Sequence, residues 1–290
     1  MAVEEDDNSW TLELETALLR DCSAADIYNI WKGRKIPDSL RADVWQICLD
    51  VQDKGNQFIL FNDIYDLPEQ EDLRKICKKF VDKLGNEDED KVSVISDLES
   101  ILTFYCKSTQ SKYDENNGWI EILLPLIALK LHKTETYNLF EAIMTRFIPR
   151  CCTKNGSPFH LFRLLLLYHD PQLCSFLDTK KISPDLYCKT WFHSLFASTC
   201  NLSAIFAMWD LYFQKSDPFF VFFLALVMMV NAREQILDMK NESKESIVKA
   251  LESMPCALVA DDVTDFCSIA QYHALKTPNS YRKAKVFLYC

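Results

Sequence analysis

Apolar residues recur at three- and four-residue spacing along almost the whole chain, a periodicity that admits little besides packed α-helices. Leu12, Leu14, Leu18 and Leu19 begin the pattern, and Asp26–Trp31 gives a second short segment. Asp38 and Ser39 can cap a helix over Leu40–Leu49 with Val44, Trp45 and Cys48 on one face. Further segments follow at 71–84, 92–106, 119–131, 134–147, 159–168, 186–196, 202–213, 218–240 and 245–253. Glycine numbers only 5 in 290 residues, too few for the turns of a β-rich chain. No alternating strand pattern and no repeat period appear. The expectation is an all-α chain of roughly a dozen helices in two helical subdomains. The last six residues, Lys285–Cys290, read as an apolar, strand-like stretch. It is either a docked segment or the start of a link to a following domain.

Charge and cysteine usage narrow the function classes. A formal charge of −10 argues against nucleic-acid binding, which draws most of its affinity from a basic surface. The opening MAVEEDDNSW has no apolar core of a secretory signal, so the 12 scattered cysteines read as reduced, buried thiols in a cytoplasmic protein. There is no CxxC, and the five histidines show no metal-ligand spacing with the cysteines, so neither a metal nor a cofactor is expected. Phe219–Val230 is the longest apolar run, well short of the about 20 residues a membrane span needs. It reads as a core helix, and no transmembrane segment is expected. Phosphate-loop, dinucleotide and hydrolase-elbow motifs are all missing.

Specific residues carry the reading further. Gly33, Ile36-Pro37, Leu40-Arg41 and Val44-Trp45 resemble the opening motif of TBC domains, the Rab GTPase-activating family, with two extra residues between Gly33 and Ile36. Trp191-Phe192, Leu195-Phe196 and then Trp209-Asp210 resemble that family's second hallmark. Residues 177–187 and 219–230 sit where the family has a loop and its next core helix. The resemblance covers about 30–255, which leaves 1–29 as an N-terminal helical extension and 256–290 as a C-terminal one. Trp45, Trp191 and Trp209 read as core aromatics that lock helices together. Arg41 reads as a structural ion-pair partner rather than a phosphate ligand.

The family resemblance implies two catalytic fingers. An arginine in I-x-x-D-x-x-R stabilises charge on the transferring phosphoryl group, and a glutamine in Y-x-Q orients the attacking water. Such an arginine contributes about 10³ to 10⁵ in rate. Here Leu60 and Asp63 match the first motif, and the arginine position falls on Asp66. A slip of one residue would place Tyr65 there instead, but no arginine occurs between Arg41 and Arg74. A carboxylate about 4 Å from a phosphate oxygen would repel it by about 4 kcal/mol at an effective dielectric near 20. In the second motif Tyr113 is kept and Glu115 stands for the glutamine, with no glutamine between Gln110 and Gln172. An ionised glutamate accepts hydrogen bonds but cannot donate one.

Asp66 and Glu115 are therefore either ordinary solvated loop acids or part of an acidic groove for a basic segment. With the resemblance, the lost fingers imply a domain without GTPase-activating activity, a bridging module in endosome-to-trans-Golgi vesicle capture. Its implied partners are golgin coiled-coil tethers, met through a basic amphipathic N-terminal helix. A Rab GTPase is the other implied partner, either through an unconventional finger such as Arg74 or as a nucleotide-dependent effector interaction.

Overall fold

The computed structural model describes residues 4–20, 22–55, 66–83, 88–150 and 152–283. Among the described residues there are sixteen α-helices and no strand. The chain divides into two compact units. One comprises Met1–Ile143 with Phe213–Ser216, the other Met144–Tyr212 with Asp217–Cys290.

The first unit is built from α1 (Glu4–Leu18), α2 (Ala24–Trp31), α3 (Asp38–Cys48), α4 (Gln70–Val81), α5 (Asp88–Thr109), α6 (Trp119–Ile127) and most of α7 (Lys133–Arg146). Local chemistry sets the starts. Ser23 and Asp26 form a reciprocal capping box on α2, each side chain satisfying the other residue's backbone N–H. Gly118 starts α6 from the left-handed region at φ 77°, a conformation costly for any residue with a Cβ. α4 packs on α5, α5 on α6, and α1, α2 and α3 on one another. The Phe104, Tyr105, Trp119, Tyr137 and Phe140 rings meet edge-on between α5, α6 and α7, with centroids 4.7–5.0 Å apart for the Phe104–Tyr137, Tyr105–Trp119 and Tyr105–Phe140 pairs.

The second unit contains α8 (Ser157–His169), α9 (Pro171–Thr179), α10 (Lys189–Ser194), most of α11 (Leu202–Lys215), α12 (Phe220–Asn231), α13 (Arg233–Asp238), α14 (Lys244–Ser253), α15 (Val263–Lys276) and α16 (Asn279–Lys283). α12 is its axis. Every residue from Phe220 to Met229 is buried, as a helix apolar all round its circumference requires. It packs against α15 and α8. Among the described residues no single helix is long and apolar enough to cross a membrane.

The helix count rises from about a dozen to sixteen for identifiable reasons. The apolar pattern over 218–240 runs unbroken, yet the chain bends by 60° between α12 and the following helical segment. Ala232, at φ −92° and ψ 9°, absorbs the bend. α9 directly abuts α8: Asp170 closes one helix and caps the next, accepting a hydrogen bond from Leu173 N at 2.9 Å. α15 and α16 are the α-helices in the described part of the C-terminal extension. The strand-like stretch Lys285–Cys290 lies outside the described residues.

Candidate functional site

The opening motif is a structural device. Gly33 has φ +78° with nothing within 4 Å of where a Cβ would stand, so the glycine answers a backbone requirement rather than a steric one. The chain then buries Ile36, and Pro37 precedes the first turn of α3 with φ −58°. Arg41 lies on α3, 1% exposed. Its Nη2 donates to the Ile36 carbonyl at 3.1 Å, and its Nη1 pairs with the Asp38 carboxylate. That bond holds the Asp38 carboxyl below its ordinary range. The guanidinium ties the entry turn to its own helix. Trp45, fully buried, meets Phe213 edge-on at 5.2 Å.

The second hallmark is likewise core. Trp191 and Phe192 lie on α10, where Trp191 Nε1 donates to the Glu252 carbonyl at 3.2 Å and Phe192 meets Phe222 at 4.9 Å. Trp209, on α11, donates from Nε1 to the Leu195 carbonyl at 3.1 Å. That carbonyl is presented by a strained turn, with Leu195 at φ 47° and Phe196 at φ 68°. Asp210 is buried at 4% exposure. Trp191 and Trp209 thus each place their one polar atom on a backbone acceptor, the condition for burying a tryptophan without loss.

The first finger loop is described from Asp66 onward. Leu60, Asp63 and Tyr65 lie outside the described residues. Asp66 precedes α4, and its exposed carboxylate forms an ion pair with Lys107 on the last turn of α5, a lysine only 15% exposed. The second loop joins α5 to α6. Asp114 Oδ1 accepts from Asn116 N at 2.7 Å, Asn117 N bonds back to the Asp114 carbonyl, and Asn117 Oδ1 accepts from Trp119 N at 3.1 Å. Glu115 sits in that turn, and its Oε1 accepts from Lys79 Nζ on the last turn of α4 at 2.9 Å. Tyr113 is half-buried with its ring 5.8 Å from Trp119. Burial, with Glu121 and other neighbouring acids, raises its phenol above the ordinary range. Burial, with Glu115 nearby, also raises the Glu121 carboxyl.

Each finger-position acid therefore faces a lysine of its own domain. Both carboxylates stay solvent-exposed, Asp66 at 59% and Glu115 at 47%. Arg74, on α4 and 57% exposed, is ion-paired within its own domain. Its Nε bonds both Glu99 oxygens at 3.1 and 3.0 Å, and its Nη2 bonds Oε1 at 2.9 Å. Glu99 is 7% exposed and also accepts from Gln70 Nε2 at 2.7 Å, while Gln70 donates to Thr103 Oγ1 at 3.0 Å. Glu99, Gln70, Thr103, Lys79 and Lys107 were not singled out by sequence. The α4 and α5 residues among them lie on helices whose mutual register no local spacing reveals.

Comparison with known proteins names the class. The Rab-GTPase-TBC domain family model matches residues 38–237, more than half of the chain, and the chain belongs to that family. A TBC domain-containing protein kinase-like protein of Dictyostelium discoideum is 30% identical over 96 residues, 32% of this chain and 9% of that protein. TBC1 domain family member 4 of Mus musculus is 34% identical over 140 residues, 46% of this chain and 10% of that protein. The chain thus aligns with about a tenth of the length of these relatives. In fold it is similar to the Chlamydomonas flagellar RabGAP TBC domain, with TM-score 0.74 and 16% identity over 94% of this chain and 92% of that one. It is also similar to the Ypt/Rab-GAP domain of Gyp1p, with TM-score 0.65 and 14% identity over 91% and 98%.

Proposed function

We propose that this TBC domain does not activate GTP hydrolysis and works as a binding module in vesicle traffic. The observation that carries the reading is the pairing of Asp66 with Lys107 and Glu115 with Lys79 at the two finger positions. Neither side chain offers the guanidinium or amide donors that the phosphoryl transition state requires. The alternative finger, Arg74, is held on both Glu99 oxygens, and releasing it would strip a carboxylate that is 7% exposed of its cation.

Residues 177–187 (LDTKKISPDLY) and the doubly altered fingers resemble TBC domain family member 23, an adaptor of the trans-Golgi network. That resemblance, rather than the geometry, implies capture of endosome-derived vesicles through golgin tethers and a cytoplasmic location on those membranes.

Single-turnover GTP hydrolysis over a panel of Rab proteins tests the loss of catalysis. Rates within about tenfold of the intrinsic rate are expected, against the 10³ to 10⁵ of an intact arginine finger. Greater acceleration by the unaltered domain would overturn the proposal. Comparing GTP-loaded with GDP-loaded Rabs for binding separates a tether-binding module, which shows no nucleotide preference, from a Rab effector.

A further inference from the structure

Two thiols meet in the second unit, on a contact that neither the family motifs nor the finger positions account for. Cys200 lies in the turn between α10 and α11, and Cys256 in the short helical turn Met254–Ala257 between α14 and α15. Cys200 is half-buried and Cys256 exposed. The Cys200 thiol donates to the Pro255 carbonyl at 3.1 Å. That oxygen belongs to the peptide group whose nitrogen is Cys256's own, so standard peptide dimensions put Cys200 Sγ within about 6 Å of the Cys256 Cα. A disulfide spans Cα atoms about 4.4–6.8 Å apart. From this contact, rotation of the two side chains and a small backbone shift bring the sulfurs together.

The flanking chain keeps the two cysteines beside each other. Trp191 Nε1 donates to the Glu252 carbonyl at 3.2 Å and Asn201 Nδ2 to the Leu258 carbonyl at 3.1 Å. With the Cys200 bond between them, the stretch around Cys200 is laid along the stretch around Cys256. The turn leading to Cys200 is the strained one at Leu195 and Phe196, and Cys200 N donates to the Phe196 carbonyl at 2.9 Å. Burial, with Cys256 alongside as the second cause, raises the Cys200 thiol to about 12. Cys200 is therefore the slow thiol of the pair, and Cys256 is the one a reagent from solvent meets.

We propose that Cys200 and Cys256 are a redox-responsive dithiol that exchanges with a small-molecule disulfide of the glutathione class and closes to an intrachain disulfide. The Cys256 thiolate attacks one sulfur of glutathione disulfide and expels a glutathione thiolate, which takes up a proton. Cys200 then gives its proton to solvent, and its sulfur attacks the Cys256 sulfur of the mixed disulfide, expelling the second glutathione. Two protein thiols and one glutathione disulfide thus become one protein disulfide and two glutathione thiols. The bridge closes a loop that contains α11, α12, α13 and α14, and it clamps the strained turn onto the segment before α15. In a glutathione-buffered compartment such a bridge is transient and follows the ratio of oxidised to reduced glutathione.

The whole chain is equilibrated with glutathione at rising ratios of oxidised to reduced form, quenched with acid and read by non-reducing peptide mass spectrometry. The expected product has lost two hydrogens and links the Cys200 peptide to the Cys256 peptide, with Cys174 and Cys188 still free. Cys200→Ser should stop at a single glutathione on Cys256, and Cys256→Ser should leave Cys200 unmodified. The bridged, unaltered chain should also unfold in urea with an equilibrium constant about thirtyfold to a thousandfold smaller than the reduced chain, an effect that dithiothreitol reverses. That comparison needs no variant, so a substitution that fails to fold leaves it intact. An unaltered chain that ends with glutathione on Cys256 and no cross-link, a bridge between other cysteines, or equal unfolding of the bridged and reduced chains would each overturn the proposal.

Discussion

Asp66 and Glu115, the acids at the two proposed finger positions, are each held in an ion pair. Each acid meets a lysine at the C-terminal turn of a helix, where the helix dipole already favours the cation. Reinstating the family residues then has a local cost. Asp66→Arg sets a guanidinium against the Lys107 ammonium, and Glu115→Gln releases Lys79. The double variant is expected to accelerate Rab GTP hydrolysis by less than about tenfold, far below the 10³ to 10⁵ of a working finger. A stopped-flow phosphate-release assay with a panel of GTP-loaded Rabs checks it, and acceleration near a thousandfold would refute the argument.

A second residue-scale effect lies in the other unit, where His169 and His273 join α8 to α15. Thr277 Oγ1 donates to the His273 carbonyl at 2.8 Å, so it accepts from His169 Nε2 at 2.8 Å. Only one of the two Nδ1 atoms that meet at 3.1 Å can carry a proton, so the contact disfavours two charged rings, and with His169 neutral its Nδ1 accepts from His273 Nδ1. Burial, then the neighbouring His273, lowers His169 from 6.5 to about 4, and burial lowers His273 as well. The unfolded chain therefore binds more protons than the folded one across this interval, so stability rises with pH. The contribution is complete above about pH 6.5 and is lost as pH falls towards about 4. Urea midpoints at pH 7.5, 6.0 and 5.0 should fall more steeply for the unaltered chain than for His169→Gln with His273→Gln. Parallel curves would contradict the neutral-pair argument.

At the scale of elements, α4 and α5 are held together by a polar cluster within an apolar contact. Glu99 accepts from both Arg74 and Gln70, and Thr103 shares Gln70, so removing the largely buried carboxylate takes away the one acceptor that joins the Arg74 guanidinium to the buried Gln70 amide. Glu99→Ala is expected to cost about 2–3 kcal/mol, the range for breaking a largely buried, hydrogen-bonded charge. Lys75→Ala removes an ion pair with Asp72 whose side chains are 71% and 76% exposed, and should change stability by less than about 0.5 kcal/mol. Denaturant unfolding compares the two, and equal losses would mean that the cluster contributes no more than a surface pair. Much at this scale was legible in sequence. Helix periodicity placed α3, α5, α6 and α12, and the tryptophans marked the helices they pin. The break at Ala232 was not legible, because Ile236 continues the apolar rhythm of α12 and no proline or glycine marks the turn. Asp66–Lys107 and Lys79–Glu115 were not legible either. Each pair joins a loop to a helix end far along the chain, and that juxtaposition exists only once α4 and α5 have packed.

At the scale of the whole molecule, the thiols report on how completely the chain is closed. The cysteines among the described residues are free, and Cys48, Cys77, Cys106, Cys152, Cys174, Cys188 and Cys267 are buried. Burial raises the Cys77 thiol to about 12 and the Cys106 thiol to about 11, so almost no thiolate is present at pH 8 while they stay enclosed. Cys188, wholly enclosed, is raised further. Cys256 is the exposed exception. Brief alkylation of the native chain at pH 8, read by peptide mass spectrometry, should label Cys256 first and leave Cys48, Cys77 and Cys188 unmodified. Those three lie in both units, so the order in which they become reactive with rising urea separates unit-by-unit opening from a single transition. Simultaneous exposure of Cys77 and Cys188 would mean that the two units unfold together. Exposure of Cys188 well after Cys77 would place the more stable core around α12, where ten consecutive buried residues remove apolar surface from water at about 25 cal/mol per Å².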